Sequence, residues 1–421
     1  MIIQHKLKNG LRVMVEEISG VRSVAIGVWI NTGSRNETSD INGVSHFIEH
    51  LLFKGTEKRN AKEIAASIDN IGGYLNAFTS KEQTCYYVRV MDQHVEIGLD
   101  LLADMLFNSL FDVNEIERER NVVLEEIKMY EDTPDDQIHD LISACAYDGN
   151  SLGYSVLGQE SSLSNLTRDK ILDYMQRRYN FDNIVISIAG NVDSNVITLV
   201  EKYFGLYNIS GKENSISPAV FGGNFLLKEK DTEQAHIALA FPGLPVDSES
   251  IYTLNLLNNL FGGSMSSMLF QEVREKRGLA YSIFSYHSAF KDTGQFTIYA
   301  GTNPTKIDEV IEVIYEVIDK TLNCEITEKE VENGKEQMKG ALVLGLESTT
   351  NRMITLGKNE INLRKHSEID EIIRKIDAIN LEGFNKTLHK IFANEYSAAL
   401  IGPMSTLPSS LRSDYFAGGK N

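Results

Sequence analysis

Three polar residues in the segment HFIEHLLFKGT, residues 46–56, have types and spacing that suit hydrolytic chemistry. His46 and His50 are four residues apart, so on a helix their imidazoles lie on one face and can hold one metal ion. The carboxylate of Glu49 can reach a water molecule on that ion without binding the ion itself. The order of the residues is that of an inverted HExxH motif, which predicts a water molecule activated by zinc. The motif arises by chance in roughly one of sixty chains of this composition, so three polar residues on an ordinary helix are the alternative.

A zinc site that performs hydrolysis has three protein ligands and an open position for water, so a third ligand must come from elsewhere. The segment NEIERERNVVLEEIKMYED, residues 114–132, has helical periodicity and many carboxylates. Glu119 and Glu126 are seven residues apart and therefore lie about two turns apart on one helix face. Spacing alone does not choose between them, and a glutamate-rich helix is usually a solvated one.

The composition indicates a soluble globular chain with more than one domain. The chain has 421 residues, of which 42% are hydrophobic and 24% are charged, and this length exceeds one ordinary core. The longest apolar runs, such as ALVLGL after residue 340, fall short of the roughly 20 residues of a membrane span. The N-terminal residues show neither a signal peptide nor a transit peptide, so a cytoplasmic protein is expected.

The net charge argues against a protein that binds nucleic acid or lipid, and the cysteine spacing argues against a disulfide or CxxC site. The net charge of −18, from 59 acidic and 41 basic residues, disfavours binding to nucleic acid or to anionic lipid surfaces. Cys85, Cys145 and Cys324 are widely spaced and form no CxxC pair, so reduced structural cysteines are expected.

Segments with strand periodicity alternate with longer helical segments, which predicts an α+β fold. The predicted strands are residues 24–30, 84–90, 184–190, 236–241 and 296–301, and the predicted helices are residues 43–54, 60–71, 92–107, 112–131, 168–180 and 194–204. This order favours mostly antiparallel sheets with helices packed on one face. The segment 209–224 is rich in Gly, Ser, Asn and Pro and predicts a linker between domains at residues 1–208 and 225–421.

The two halves of the sequence look like degenerate copies of each other, so two similar domains are expected. FDVNEIERERNVVLEEIKMYED in the first half parallels EITEKEVENGKEQMKGALVLGLES in the second. At the positions of the candidate site, the second half has residues that are not typical zinc ligands: Leu254, Leu257, Asn258, Gly334 and Ala341. A metal site is therefore expected in the first domain alone.

Nearly the whole chain resembles the pitrilysin/insulinase superfamily of zinc metallopeptidases, the inverzincins. The resemblance rests on the segments NGLRVMVEE, GVSHFIEHLLFKGT, IGGYLNAFTSKEQTCYY, ERERNVVLEEIKMYEDTPDD and LFQEVREKRGLAYS. The chain is most similar to the branch of half-length subunits that includes the mitochondrial processing peptidases and their bacterial relatives. The resemblance implies two similar domains that form half of a clamshell. It also implies a zinc endopeptidase that hydrolyses peptides or unfolded polypeptide segments.

The resemblance assigns roles within the candidate site. It implies one Zn²⁺ per chain, held by His46, His50 and Glu126, because the third ligand of the family lies about 75 residues beyond the second histidine. It makes Glu49 the general base, and it makes Glu119 a residue that supports the site from behind a ligand.

The resemblance also implies how substrate binds. Asn76, Ala77 and Thr79 match an exposed edge strand to which the substrate adds as a further strand. Arg274 and Tyr281 match a pair that holds the developing oxyanion at the transition state. In half-length chains that pair comes from the partner subunit, so a homodimer with an active site completed by the partner chain is expected.

Specificity and catalytic competence are less determined by the sequence. Asp136 and Asp140 match positions at which the processing peptidases receive an arginine near the cleavage site, and a polar loop with a helix cap is the alternative.

The chain could also be a non-catalytic or partner-dependent subunit of a hetero-oligomeric processing peptidase, or a zinc hydrolase that acts on a non-peptide substrate. A decayed partner subunit would be expected to lose a ligand or the general base, and this sequence keeps all four residues.

Overall fold

The computed structural model describes residues 2–211, 216–323 and 326–412, and these residues form two mixed sheets with many helices. The first sheet contains β1 (Ile2–Lys6), β2 (Arg12–Glu17), β3 (Ser23–Ile30), β4 (Tyr74–Thr79), β5 (Thr84–Met91) and β6 (Ile184–Gly190). The second sheet contains β7 (Phe225–Glu229), β8 (Ala235–Pro242), β9 (Ala280–Ala289), β10 (Gly294–Thr302) and β11 (Ser397–Gly402). The predicted strands lie within β3, β5, β6, β8 and β10.

The helices follow the sequence periodicity closely. They are α1 (Val44–Leu52), α2 (Ala61–Asp69), α3 (Val95–Phe107), α4 (Val113–Glu131), α5 (Pro134–Ala146), α6 (Glu160–Ser164), α7 (Arg168–Arg178), α8 (Asn195–Phe204), α9 (Ile251–Phe261), α10 (Ile307–Leu322), α11 (Glu328–Gly345), α12 (Thr349–Asn362), α13 (Ile369–Asp377) and α14 (Leu381–Phe392). The predicted helices correspond to α1 to α4, α7 and α8, with ends that differ by up to three residues.

Both sheets are mostly antiparallel, so the predicted α+β fold class is confirmed. In the first sheet the strand order is β1-β2-β6-β3-β5-β4, and the pairing of β2 with β6 is parallel. In the second sheet the order is β7-β11-β8-β10-β9, and the pairing of β11 with β7 is parallel. Strand β4 lies at one edge of the first sheet, where its outer side has no neighbouring strand among the described residues.

The chain divides into two compact units that differ from two contiguous halves of the sequence. The first unit comprises Met1–Lys128, Tyr154–Ile216 and Leu344–His366, and the second comprises Met129–Gly153, Ser217–Val343 and Ser367–Asn421. The change from the first unit to the second after Ile216 falls inside the predicted linker, residues 209–224. Each unit therefore contains one segment from the opposite half of the sequence.

In the first unit, that segment covers the second face of the sheet. Strand β3 is buried along almost its whole length, which requires packing on both faces. On one face Ile26 and Val28 join the large core that contains α1. On the other face Trp29 packs against Met353 of α12. Because β3 is apolar on both faces, helices packed on only one face of the sheet would leave the other apolar face exposed to water.

The second unit uses the same arrangement with α5. Ile138 and Ile142 on α5 pack against Ala238 and Ala240 on one face of β8. Residues Ile237 and Leu239 of the same strand point to the opposite core, which contains α9, α10 and α14. The two units are similar in design, as the duplication in the sequence predicts.

Two further features bear on the expectations from the sequence. Along the described residues, no helix combines the length and the apolar character needed to cross a membrane. Cys85 and Cys145 are free and buried, and Cys324 lies outside the described residues.

Candidate active site

Helix α1 positions His46, Glu49 and His50. It begins after Gly43, whose φ of 92° lies in the left-handed region that glycine adopts most easily. Val44, Phe47, Ile48 and Leu51 are buried and fix the helix in the core of the first unit. The register of this apolar face leaves the motif residues at the boundary of the core, where His46 is buried and His50 is half-buried.

The first turn of α1 is held by a buried carboxylate. Glu37 accepts hydrogen bonds from the backbone N–H groups of Gly43 at 2.7 Å and Ser45 at 2.8 Å, and from the amide of Asn42 at 2.9 Å. Burial raises the pKa of the Glu37 carboxyl, and the hydrogen bonds oppose this shift. The unpaired N–H groups at the start of a helix favour an acceptor of this kind. Nothing in the sequence marks Glu37, because it lies in a loop with no periodicity to indicate its contact with α1.

Helix α4 brings a carboxylate to the two histidines. Ile116, Glu119 and Val123 lie on its buried face, and Glu126 continues the same spacing by one more turn. The ligand atoms of His46, His50 and Glu126 lie within 4.8 Å of one another, and within the described residues no other group of three histidines, cysteines or carboxylates is comparably close. The Glu126 Oε2 atom is 3.8 Å from His46 Nε2 and 3.6 Å from His50 Nε2.

The protonation state of His46 suits a metal ligand. Burial, together with the proximity of His50, lowers the pKa of His46 to about 3. At neutral pH its imidazole is therefore neutral and has a lone pair available for an ion. Two imidazole nitrogens and one carboxylate oxygen form the donor set of a three-ligand zinc site that keeps a position open. The residues present thus fit a catalytic zinc ion.

Glu119 supports His50 from the side opposite to Glu126. Its Oε2 atom is 3.1 Å from His50 Nδ1, and its Oε1 atom forms an ion pair with Lys54 Nζ at 2.6 Å. A hydrogen bond at Nδ1 fixes the ring orientation and leaves Nε2 to face Glu126. Lys54 belongs to the segment HFIEHLLFKGT, but its spacing from the histidines indicates no role in the site.

Glu49 lies beside the cluster and contacts the first sheet. Its Oε2 atom accepts a hydrogen bond from the Thr79 hydroxyl at 2.5 Å. Burial raises the pKa of the Glu49 carboxyl, whereas the hydrogen bond from Thr79 and the proximity of His50 lower it. The structure therefore places Thr79, predicted as a substrate contact, in direct contact with the predicted general base.

Asn76 and Ala77 lie on the exposed edge strand β4, as predicted. The Asn76 side chain donates a hydrogen bond to the Tyr74 hydroxyl at 2.7 Å and accepts one from the Ala77 N–H at 2.8 Å. Within the sheet, Ala77 pairs with Tyr86 of β5. No described strand pairs with the opposite side of β4, which is the arrangement that strand addition requires.

The remaining predicted residues belong to the second unit. Arg274 lies in a short π-helix, Phe270–Glu275, and its guanidinium stacks at 4.8 Å from the Phe270 ring centre and 5.1 Å from that of Tyr281. The Tyr281 side chain is 76% exposed. Asp136 and Asp140 lie four residues apart on α5, and the Tyr130 hydroxyl donates to the Asp136 carbonyl at 2.8 Å.

The second unit has no counterpart of the histidine and glutamate cluster among its described residues. Leu254 and Leu257 on α9 are fully buried parts of its core. Gly334 on α11 packs so closely on α9 that a Cβ atom would lie 2.6 Å from the Leu256 side chain. Leu254, Leu257 and Gly334, which the sequence repeat aligns with His46, Glu49 and Glu119, therefore lie in apolar contacts.

Comparisons with known proteins match two successive parts of the chain to two family models. Residues 12–160 match the family described as insulinase (peptidase family M16), and residues 165–338 match the peptidase M16 inactive domain. The chain is 52% identical to a Bacillus subtilis protein named "Uncharacterized zinc protease YmxG", over 97% of this chain and 100% of that one.

Solved structures show the same fold at low sequence identity. A protease from Helicobacter pylori is 23% identical with a TM-score of 0.88, over 96% of this chain and 99% of that one. A chain of Complex III2 from Candida albicans, with Inz-5 bound, is 21% identical with a TM-score of 0.84, over 98% of both chains. With matched family models over most of its length and a relative that is more than half identical, the chain belongs to peptidase family M16, the insulinase family.

Proposed function

We propose that the protein is a zinc-dependent endopeptidase that hydrolyses peptides or extended polypeptide segments. His46, His50 and Glu126 would hold one Zn²⁺ per chain, and Glu49 would be the general base. The observation that carries the proposal is the convergence of the three ligand atoms within 4.8 Å beside the Glu49 carboxylate. Membership in a peptidase family and the name of the B. subtilis relative support the same reaction.

The chemistry divides between the ion and the protein. When bound, Zn²⁺ supplies Lewis acidity that makes a water molecule more acidic and polarises the carbonyl that is attacked. Glu49 accepts the proton of that water and later delivers it to the leaving amine. Glu119 and Lys54 keep the His50 ring in place throughout.

The edge strand β4 supports a peptide as the substrate. A peptide that adds alongside Asn76 and Ala77 would form backbone hydrogen bonds that do not depend on its side chains. Only an extended segment can add in this way, so folded proteins would be poor substrates. Such binding also argues against the alternative of a small non-peptide substrate.

A second copy of the chain would complete the active site. The exposed Tyr281 and the guanidinium of Arg274 are stacked on each other and available to a partner. A charged donor and a phenol are suited to hold an oxyanion at the transition state. We therefore place this pair of the partner copy opposite the catalytic residues in a homodimer.

Asp136 and Asp140 would favour a basic residue near the cleaved bond. They are four residues apart on α5 and thus lie on one helix face. Burial, followed by the charges of Asp140 and Asp136, raises the pKa of Tyr130, so both carboxylates lie near that phenol. A guanidinium placed between two such carboxylates would form charge-assisted hydrogen bonds.

Cleavage of quenched fluorescent peptides tests the proposal. The zinc-loaded protein is expected to cleave them, a chelator should abolish cleavage, and Glu49→Gln should lower kcat by about 100-fold or more while zinc still binds. A basic peptide should be preferred over a neutral one, and Asp136→Asn should reduce that preference. Glu125→Gln is a suitable control, because its exposed carboxylate pairs with Lys128 on the solvated face of α4.

A non-catalytic or partner-dependent subunit is the second candidate function. A chain with the same fold is part of the Candida albicans Complex III2, so this fold also occurs within a larger complex. The complete set of ligands and the general base favour the enzyme. Absence of cleavage by zinc-loaded wild-type protein, with every peptide tested, would favour the second candidate.

A further inference from the structure

We infer that Thr79 is a positioning residue for Glu49, and that its hydroxyl holds this carboxylate rather than the substrate. The inference rests on the proposed function and assigns Thr79 a role within it. The evidence is the hydrogen bond from the Thr79 hydroxyl to Glu49 Oε2, at 2.5 Å. A hydroxyl has one proton, so a hydroxyl that donates to Glu49 cannot also donate to a substrate carbonyl.

The hydrogen bond makes the two carboxylate oxygens of Glu49 different. Oε2 gives one lone pair to the Thr79 hydroxyl, whereas Oε1 keeps both lone pairs for the proton of a water molecule. Glutamate has three side-chain torsions, and an unrestrained carboxylate would spend only part of its time in the reactive orientation. A fixed donor on the neighbouring strand removes this freedom.

Thr79 is itself held by a rigid turn. Residues 80–83 connect β4 to β5, and the Ser80 N–H bonds to the Gln83 carbonyl at 2.8 Å. The backbone N–H groups of Ser34 and Arg35 donate to the carbonyls of Ser80 and Lys81 at 3.3 and 2.8 Å. The backbone that directly follows Thr79 is therefore held by the segment that contains Ser34 and Arg35.

Close packing and ion pairing strengthen this anchor. A Cβ atom at Gly33 would lie 2.0 Å from the Ser80 carbonyl oxygen, so only glycine allows the backbone of the turn to approach. Arg35 is buried and pairs with Glu82 at 2.5 Å, and Gln83 donates to Asn362 of α12 at 2.6 Å. These contacts fix the end of β4 at Thr79, while Asn76 and Ala77 lie nearer the exposed part of the strand.

Kinetics of Thr79→Val and Thr79→Ser distinguish the two roles. Valine keeps the shape of threonine but has no hydroxyl, so we expect kcat to fall by about 10- to 100-fold with KM and zinc affinity nearly unchanged. Serine keeps the hydroxyl and should restore most of kcat. Thr84→Val is the matched control: Thr84 pairs with Thr79 across the sheet, and its hydroxyl bonds to the Thr32 carbonyl at 3.0 Å and not to Glu49. Its kcat should equal that of the wild type.

A crystal structure of each variant gives a second measurement that does not depend on activity. Glu49 should adopt one rotamer in the wild type and in Thr79→Ser, and several rotamers in Thr79→Val. A single unchanged rotamer in Thr79→Val would overturn the inference even if no substrate were ever cleaved. A rise in KM with unchanged kcat would overturn it as well, in favour of a substrate contact. Failure of the proposed function would appear separately, as a wild type without chelator-sensitive cleavage.

Discussion

At the scale of single residues, the proposed ligands are themselves held by further side chains, such as Glu119 at His50. His46 and His50 follow from helical spacing, and that spacing is visible in the sequence. Spacing could not separate Glu119 from Glu126, and only the family resemblance favoured Glu126. The structure gives the physical difference, because Glu126 Oε2 lies within 3.8 Å of both Nε2 atoms, whereas Glu119 Oε2 lies at Nδ1 of His50.

The position of Glu119 leads to a prediction about metal affinity. Glu119→Ala removes the acceptor at His50 Nδ1 and the buried partner of Lys54, so zinc affinity is expected to fall by about 10- to 100-fold. Competition with a chelating dye measures the change. Glu117→Ala is the control, since its side chain is 62% exposed on the same helix and pairs with Arg120. Equal affinities for Glu119→Ala and the wild type would show that Glu119 does not support the ligand.

At the scale of elements, the periodicity of the sequence predicts individual helices and strands, but it does not predict contacts between segments that are far apart in the chain. Helices α1 and α4 follow from periodicity within their own segments. Glu37 and Thr79 contact α1 across loops and strands, so no spacing rule relates them to it. The packing of α12 on the first sheet could not be predicted either. An amphipathic helix shows that one of its faces is buried, but the sequence does not say which part of the protein covers that face.

The contact of α12 with the sheet can be tested at one glycine. A Cβ atom at Gly357 would lie 2.1 Å from the Trp29 indole nitrogen, and that indole also donates to Ser187 at 2.8 Å. Gly357→Ala should therefore lower the free energy of unfolding by about 1–3 kcal/mol through overpacking. Gly340→Ala, in α11, is the control: nothing lies within 4 Å of its Cβ position, so helix propensity should raise stability by about 0.5–1 kcal/mol. Chemical denaturation gives both values, and equal stabilities would refute close packing at Gly357.

At the scale of the whole molecule, each unit borrows a helix from the other half of the sequence. The first unit needs Leu344–His366, and the second needs Met129–Gly153. Without α12, the face of the first sheet that includes Ala25 and Trp29 would be exposed. The duplication in the sequence suggested two domains, but it could not show that neither contiguous half contains a complete core.

Separate expression of the two halves tests this dependence. A fragment of residues 1–211 is expected to bind a hydrophobic dye and to unfold without a cooperative transition, because apolar strand faces without cover do not form a stable core. Mixing it with a fragment of residues 212–421 should restore a cooperative transition, since α12 and α5 are then both present. Zinc should raise the midpoint of that transition, because a ligand that binds only the folded state stabilises it. The control is full-length His46→Ala, in which zinc should shift the midpoint much less. A fragment 1–211 that unfolds cooperatively by itself would show that the first sheet can fold without α12.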